Sequence, residues 1–126
     1  MTQADFQERD RVLQQYLGKT VTVVIDRPMG YKNPKYPDMV YPINYGYIEG
    51  VIAADGEEQD MYVLGVDEPV STYTGVVIAA IRRLDDVEDK WVVAPEGIPY
   101  SDMEIAYAVD FTERYYDSTV YMNIAR

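Results

Sequence analysis

Residues 41–65 read YPINYGYIEGVIAADGEEQDMYVLG, two apolar segments around an acidic loop. Asp55, Glu57 and Asp60 stand at offsets 0, +2 and +5, with Gly56 letting the chain turn among them. With residues 51–53 and 61–64 as strands, a tight loop brings these oxygens together. Oxygen-only ligation suits Mg²⁺, which keeps several waters and takes a few carboxylates plus substrate phosphates. In isolation the run DGEEQD also fits a solvated hairpin loop.

Outward from this run, strand signals appear at residues 19–26, 45–53, 61–66, 75–84 and 90–93, separated by turn-like or acidic stretches. Pro28, Gly30, Pro34, Pro37 and Pro42 keep the segment before Tyr41 from being helical. Short strands with few helices predict a small barrel. Residues 4–16 place Phe6, Val12, Leu13, Tyr16 and Leu17 on roughly one face and stop at Gly18, a peripheral helix with a charged body. Ser101 with Glu104 forms a capping box that opens a second helix through about Tyr116, burying Ile105, Ala108, Val109 and Tyr115. Residues 118–125 make a short last strand or an extended tail. No repeat or linker interrupts the chain, so residues 1–126 form a single domain.

Composition removes several function classes. The chain holds 11 basic and 22 acidic residues, a formal net charge of −11, which disfavours nucleic acid and anionic membrane as partners. A bound cation reverses that sign locally, so an anionic ligand is still admissible. There is no cysteine and no histidine. Disulfides, thiolate or Ser/His nucleophiles and histidine metal sites are therefore excluded, leaving carboxylates, lysines and tyrosines for acid–base work. Tyrosine is abundant, 13 against 2 phenylalanines and 1 tryptophan, and each buried hydroxyl needs a partner. The opening MTQADFQERDRV is charged where a signal peptide is apolar, and no run approaches about 18 apolar residues; a cytoplasmic protein is expected.

The central run resembles the active-site segment of family I soluble inorganic pyrophosphatases, whose pattern is approximately YPxNYGxI, an apolar strand, then DGDPxDVLV. Here the text is YPINYGYI, VIAA, DGEEQDMYV, with Tyr45 ten residues before Asp55. Upstream, VVIDRPMGYKNPKYP resembles the family's VxIEIPKGSxNKYE; downstream, GVVIAAIRRLDDVEDKWVVAP resembles GVLxMxDExxxDxKxxxVP. The similarity covers roughly residues 21–95. It implies an α+β, mainly β fold: a small OB-like five-stranded barrel with flanking N- and C-terminal helices. The chain is shorter than typical bacterial members, in the hairpin before YPINYG and in the C-terminal helical region.

By this resemblance the activity is Mg²⁺-dependent hydrolysis of inorganic pyrophosphate to two phosphates. Asp55 and Asp60 match family metal ligands, and Asp60 is also counted as catalytic. Glu57 falls where the family has an aspartate beside the nucleophilic water, one methylene longer here. In DDVEDK, Glu88 stands two residues before Lys90 and shares its face; Asp89 points the other way unless the loop shifts. The family's earlier aspartate is displaced, so Asp85 or Asp86 supplies that ligand from a longer loop; Asp86, Glu88 and Asp89 complete the candidate metal set. Lys35, Tyr45 and Lys90 match phosphate-binding positions, Tyr115 resembles a C-terminal tyrosine with that role, and Asp26 takes the place of a supporting glutamate. Tyr116 stands where the family has a lysine. A family arginine has no counterpart, with Arg82 and Arg83 as replacements that match no motif position. Two other readings stay open: a hydrolase of another small phosphoanhydride, and a module that binds Mg²⁺ and phosphate without turnover. The family's bacterial members assemble as oligomers, and the Tyr-rich surface leaves room for a homo-oligomer.

Overall fold

Side chains alternate across a pleated strand, and that alternation decides what this chain encloses. The computed structural model describes residues 3–53, 56–84 and 88–122, with residues 3–6 described by their backbone. Along the chain run α1 (Gln3–Tyr16), β1 (Thr20–Arg27), β2 (Asn44–Ile52), β3 (Glu58–Val63), β4 (Thr72–Arg83), β5 (Asp89–Ala94), α2 (Asp102–Glu113) and β6 (Ser118–Tyr121). The sheet order is β1-β2-β3-β5-β4-β6, and β4 also pairs back to β1, from Thr20 opposite Val76 to Val24 opposite Thr72. Five strands therefore close into a barrel, the OB-like architecture that the sequence implies. β6 occupies the rest of the same β4 edge, Ser118 opposite Arg83. Only β3 and β5 pair in parallel, Met61 opposite Trp91, among the described strands.

Val23, Ile48, Met61, Val63, Val77, Trp91 and Val93 fill the barrel, and Leu13 of α1 reaches in among them. On the outer wall, Tyr62, Ile81, Val92 and Ala94 lie beneath Ile105 and Val109 of α2. Both faces of β5 are thus covered, and all six of its residues are buried. At the start of α2 the capping box forms as expected, Glu104 donating its N–H to the Ser101 hydroxyl at 3.1 Å and accepting from the Ser101 N–H at 2.8 Å. Among the described residues no helix is long and apolar enough to cross a membrane.

Several expectations change. α1 keeps an exposed outer face, as expected, but its inner face goes deeper than the sequence suggests: Leu13 is wholly buried, Tyr16 packs at a tilt on Trp91 with ring centres 5.3 Å apart, and Arg9 pairs with Asp89 at 2.6 Å. Its charged body is complementary to charges at the barrel end, so burial costs less than the sequence suggests. β3 starts at Glu58, which makes Asp60 a strand residue opposite Tyr47 in place of a loop residue, because β2 supplies pairing partners that far. β4 starts three residues early, since Thr72, Tyr73 and Thr74 pair with β1. α2 ends at Glu113, and Tyr115, expected inside, is 67% exposed. The helix stops before its fourth turn would carry that ring inward.

Gly46 fixes how closely β1 and β2 approach. A Cβ there would lie 1.8 Å from the Val24 carbonyl oxygen, backbone that cannot yield. We expect Gly46→Ala to cost at least about 3 kcal/mol, at the upper end of overpacking penalties. Gly50→Ala, at φ +84 with nothing within 4 Å, should cost only the left-handed strain, about 1–2 kcal/mol. Urea melts of the two variants check this; equal, small losses would show that the strands can separate at Gly46.

Candidate active site

β5 turns Asp89, Trp91 and Val93 inward and Lys90, Val92 and Ala94 outward. On the outer side, Lys90 Nζ lies 2.6 Å from Asp60 Oδ2 and 3.2 Å from Glu88 Oε1. Strand pairing assembles the rest: Tyr45 of β2 faces Tyr62 of β3, and Asp60 shares the Tyr62 face two residues away. The Tyr45 hydroxyl lies beside the Asp60 carboxylate, whose charge acts on it, and Lys90 Nζ sits 5.7 Å from the Tyr45 ring centre. Burial, and then the Asp60 charge, push the Tyr45 hydroxyl far above its ordinary range, so it stays protonated. These groups open onto a cleft of about 1020 Å³ whose walls include Lys35, Tyr45, Asp60, Glu88, Lys90 and Tyr115.

The proline-rich segment between β1 and β2 forms one wall. Asn33 Oδ1 accepts from the backbone N–H groups of Lys35 and Tyr36 at 2.9 and 3.1 Å, a turn that presents Lys35. Wholly buried Asn44 pins this segment to the next loop: its oxygen accepts from Met29 and Val70, at 2.8 and 3.3 Å, and its nitrogen donates to the Glu68 carbonyl at 2.9 Å.

Other expected residues fall differently. Asp89 is not brought to this cleft. Its carboxylate is buried at the barrel end between Arg9, at 2.6 Å, and Arg82, at 3.1 Å, which replaces the metal-ligand expectation with a structural ion pair. The same contact takes Arg82 away from the cleft. Asp26 is exposed at a bulge in β1; partial burial, with the Asp60 charge adding, holds its carboxyl above the usual range. Glu57 is exposed just ahead of β3 and is not among the cleft walls; its backbone carbonyl accepts from Ala53 at 2.7 Å. Asp55, Asp85 and Asp86 lie outside the described residues.

A family model described as inorganic pyrophosphatase matches residues 14–119. The chain belongs to the inorganic pyrophosphatase family. Solved structures share its fold: an inorganic pyrophosphatase from Ehrlichia chaffeensis is 17% identical with TM-score 0.64, covering 84% of this chain and 87% of that one. One from Coxiella burnetii is 19% identical with TM-score 0.58, over 82% and 83% of the two chains. One from Neisseria gonorrhoeae is 20% identical with TM-score 0.57, over 84% and 81%.

Inorganic pyrophosphatases are hydrolases, and the donor set of this member is oxygen-only apart from its lysines and arginines, which fits a hard divalent cation in kind. Among the described residues no three carboxylates gather at metal-binding distance. Asp60 and Glu88 instead flank the Lys90 ammonium, so the position between them already favours positive charge.

Behind the cleft stands a network that sequence reading missed. Arg83 holds Glu113 by two hydrogen bonds, of 3.1 and 2.7 Å, and the Tyr62 hydroxyl donates to the same carboxylate at 2.6 Å. Arg83 also reaches Glu88 at 3.3 Å and lies 3.6 Å over the Tyr116 ring, at the position where the family carries a lysine. The signal was present: Glu113 continues the Ile105, Val109 stripe at intervals of four, which marks it as buried. Glu113→Leu alone should cost about 3 kcal/mol, the low end for breaking a buried pair, because Glu88 at 3.3 Å still answers the guanidinium. Joined with Arg83→Met, much of that loss should return, leaving chiefly the unpaired Tyr62 hydroxyl at about 1–3 kcal/mol. Urea denaturation of both variants measures it; a single-variant loss under about 1 kcal/mol would mean the pair is effectively hydrated.

Proposed function

We propose that this chain is a cytoplasmic, Mg²⁺-dependent inorganic pyrophosphatase that cleaves pyrophosphate into two phosphates in the cleft outside the barrel. The observation that carries this reading is the contact of carboxylate Asp60, ammonium Lys90 and hydroxyl Tyr45 in one cleft with Lys35 and Tyr115. Asp55, Asp60, Asp86 and Glu88 would hold the metal. When bound, Mg²⁺ offsets phosphoryl charge and lowers the pKa of water, which suits a site without histidine.

The chain's own residues do the remainder. Lys35 and Lys90 supply point charges to phosphoryl oxygens, while Tyr45 and Tyr115 donate hydroxyl hydrogen bonds. Glu57 would orient the attacking water, which requires its exposed carboxylate to turn from its place ahead of β3 toward the cleft, and the water's proton goes to the departing phosphate. The water oxygen adds to one phosphorus, the bond from that phosphorus to the bridging oxygen breaks, and the second phosphate leaves. Lys90 exchanges its carboxylate partners for phosphate when substrate enters, and Asp26 adds negative charge beside Asp60.

Phosphate release from pyrophosphate should require Mg²⁺ and stop on chelation, and should exceed release from nucleotides or short polyphosphates. Asp60→Asn should remove it while the fold persists, because this carboxylate serves the cleft and not the core. In chelator its melting temperature should fall modestly, since the largely buried Lys90 loses one of its two carboxylate partners and keeps Glu88. Turnover retained in Asp60→Asn, or absent from the parent across pH 6 to 9 (a window of about three units around neutrality), would overturn the reading.

A further inference from the structure

The cations that line the cleft divide by whether a carboxylate answers them. Lys90 is held by Asp60 and Glu88, Arg83 by Glu113 and Glu88, and Arg114 by Asp110 at 2.6 Å. Neither the exposed Lys35 nor Arg27, half-buried at the end of β1, has a carboxylate within ion-pair distance among the described residues, although the chain carries 22 acids; solvent serves Lys35, and Arg27 needs another holder. A half-buried guanidinium without a counter-charge is costly unless something else holds it. Here the holder is aromatic: its Cζ lies 5.7, 5.7 and 5.6 Å from the ring centres of Tyr31, Tyr41 and Tyr45. One N–H donates to the Tyr41 hydroxyl at 2.6 Å, a neutral acceptor.

We propose that Arg27 is a phosphoryl-binding residue of this cleft, its guanidinium held in a tyrosine cage so that its remaining donors meet the oxygens of one end of pyrophosphate. A guanidinium carries five N–H donors in a rigid fork suited to two oxygens of one phosphoryl group. The cage satisfies the cation without using up that fork. Lys90 approaches the same Tyr45 ring, at 5.7 Å, so one ring separates an arginine from a lysine on the cleft wall and the two address different oxygens of one ligand. Bulging β1 at Asp26 is what turns Arg27 to face Tyr45 across the sheet. The inference rests on the pyrophosphate reading for its ligand, and does not need turnover.

The test uses imidodiphosphate, a non-hydrolysable pyrophosphate analogue, with Mg²⁺. On the unaltered protein, phenylglyoxal modification followed by mass spectrometry should be slowed about tenfold at Arg27 by the analogue and left unchanged at Arg11, an exposed residue paired with Glu8. Calorimetry should give an affinity at least about tenfold weaker for Arg27→Met, with an intermediate loss for Arg27→Lys, which keeps the charge and lacks the fork. Unchanged melting temperatures would tie these losses to binding; if Arg27→Met fails to fold, the protection result decides. Binding without protection at Arg27, parent-like affinity in a folded Arg27→Met, or no binding by the parent would each overturn the proposal. Arg27-dependent binding in a protein that releases no phosphate would support it while removing the catalytic reading.

Discussion

Adjacent residues of one strand point to opposite faces, and the register of β5 turns that constraint into the plan of the molecule. Asp89 goes inward to Arg9 and Arg82 and seats α1 in the end of the barrel; Lys90 goes outward to Asp60 and Glu88 and begins the cleft. A slip of one residue would exchange the two, placing an ammonium against two guanidinium groups and a carboxylate against two carboxylates. The buried flanks Trp91, Val92 and Val93 forbid that slip, because each would leave its own side of the wall. Core packing and site electrostatics are therefore set by the same six residues.

The outer wall of the barrel has two tasks along its length. Towards the start of α2 it is covered by apolar contacts to Ile105 and Val109, and towards the far end polar groups take over. Tyrosine makes the change gradual. Tyr62 is wholly buried yet donates to Glu113, Tyr45 packs edge-on against Tyr62 with ring centres 5.2 Å apart and turns its hydroxyl toward the Asp60 charge, and Tyr41 packs against Phe111 while accepting from Arg27. Each ring contributes apolar area and each hydroxyl meets a charged group. On this wall tyrosine serves where phenylalanine would not, because the wall must be dry inside and polar outside.

Much of this was legible in the sequence. The strand pattern predicted a barrel, the YPINYGYI and DGEEQDMYV blocks located Tyr45 and Asp60, and the two-residue offset of Glu88 from Lys90 put both on one side of the chain. What escaped was whatever depends on pairing between distant elements. Nothing local tells α1 that Arg9 and Asp10 will meet Asp89 and Arg82, so the ion pairs on its inner face are not legible. The extension of β3 back to Glu58 depends on partners in β2, and the end of α2 on the clamp between Arg83 and Glu113. Arg27 was invisible for the same reason, since its cage comes from Tyr31, Tyr41 and Tyr45, brought to it by a bulge and by the β1–β2 pairing.

The central claim is that the cleft on the outside of the barrel, and no other part of this inorganic pyrophosphatase family member, receives the diphosphate with its cation. A crystal structure grown with Mn²⁺ in place of Mg²⁺ and with imidodiphosphate tests it most directly, because manganese can be located by its anomalous scattering. The account predicts manganese beside Asp60, with imidodiphosphate density contacting Lys35, Tyr45 and Lys90. Metal and diphosphate bound elsewhere, with the Lys90–Asp60 contact intact, would contradict it.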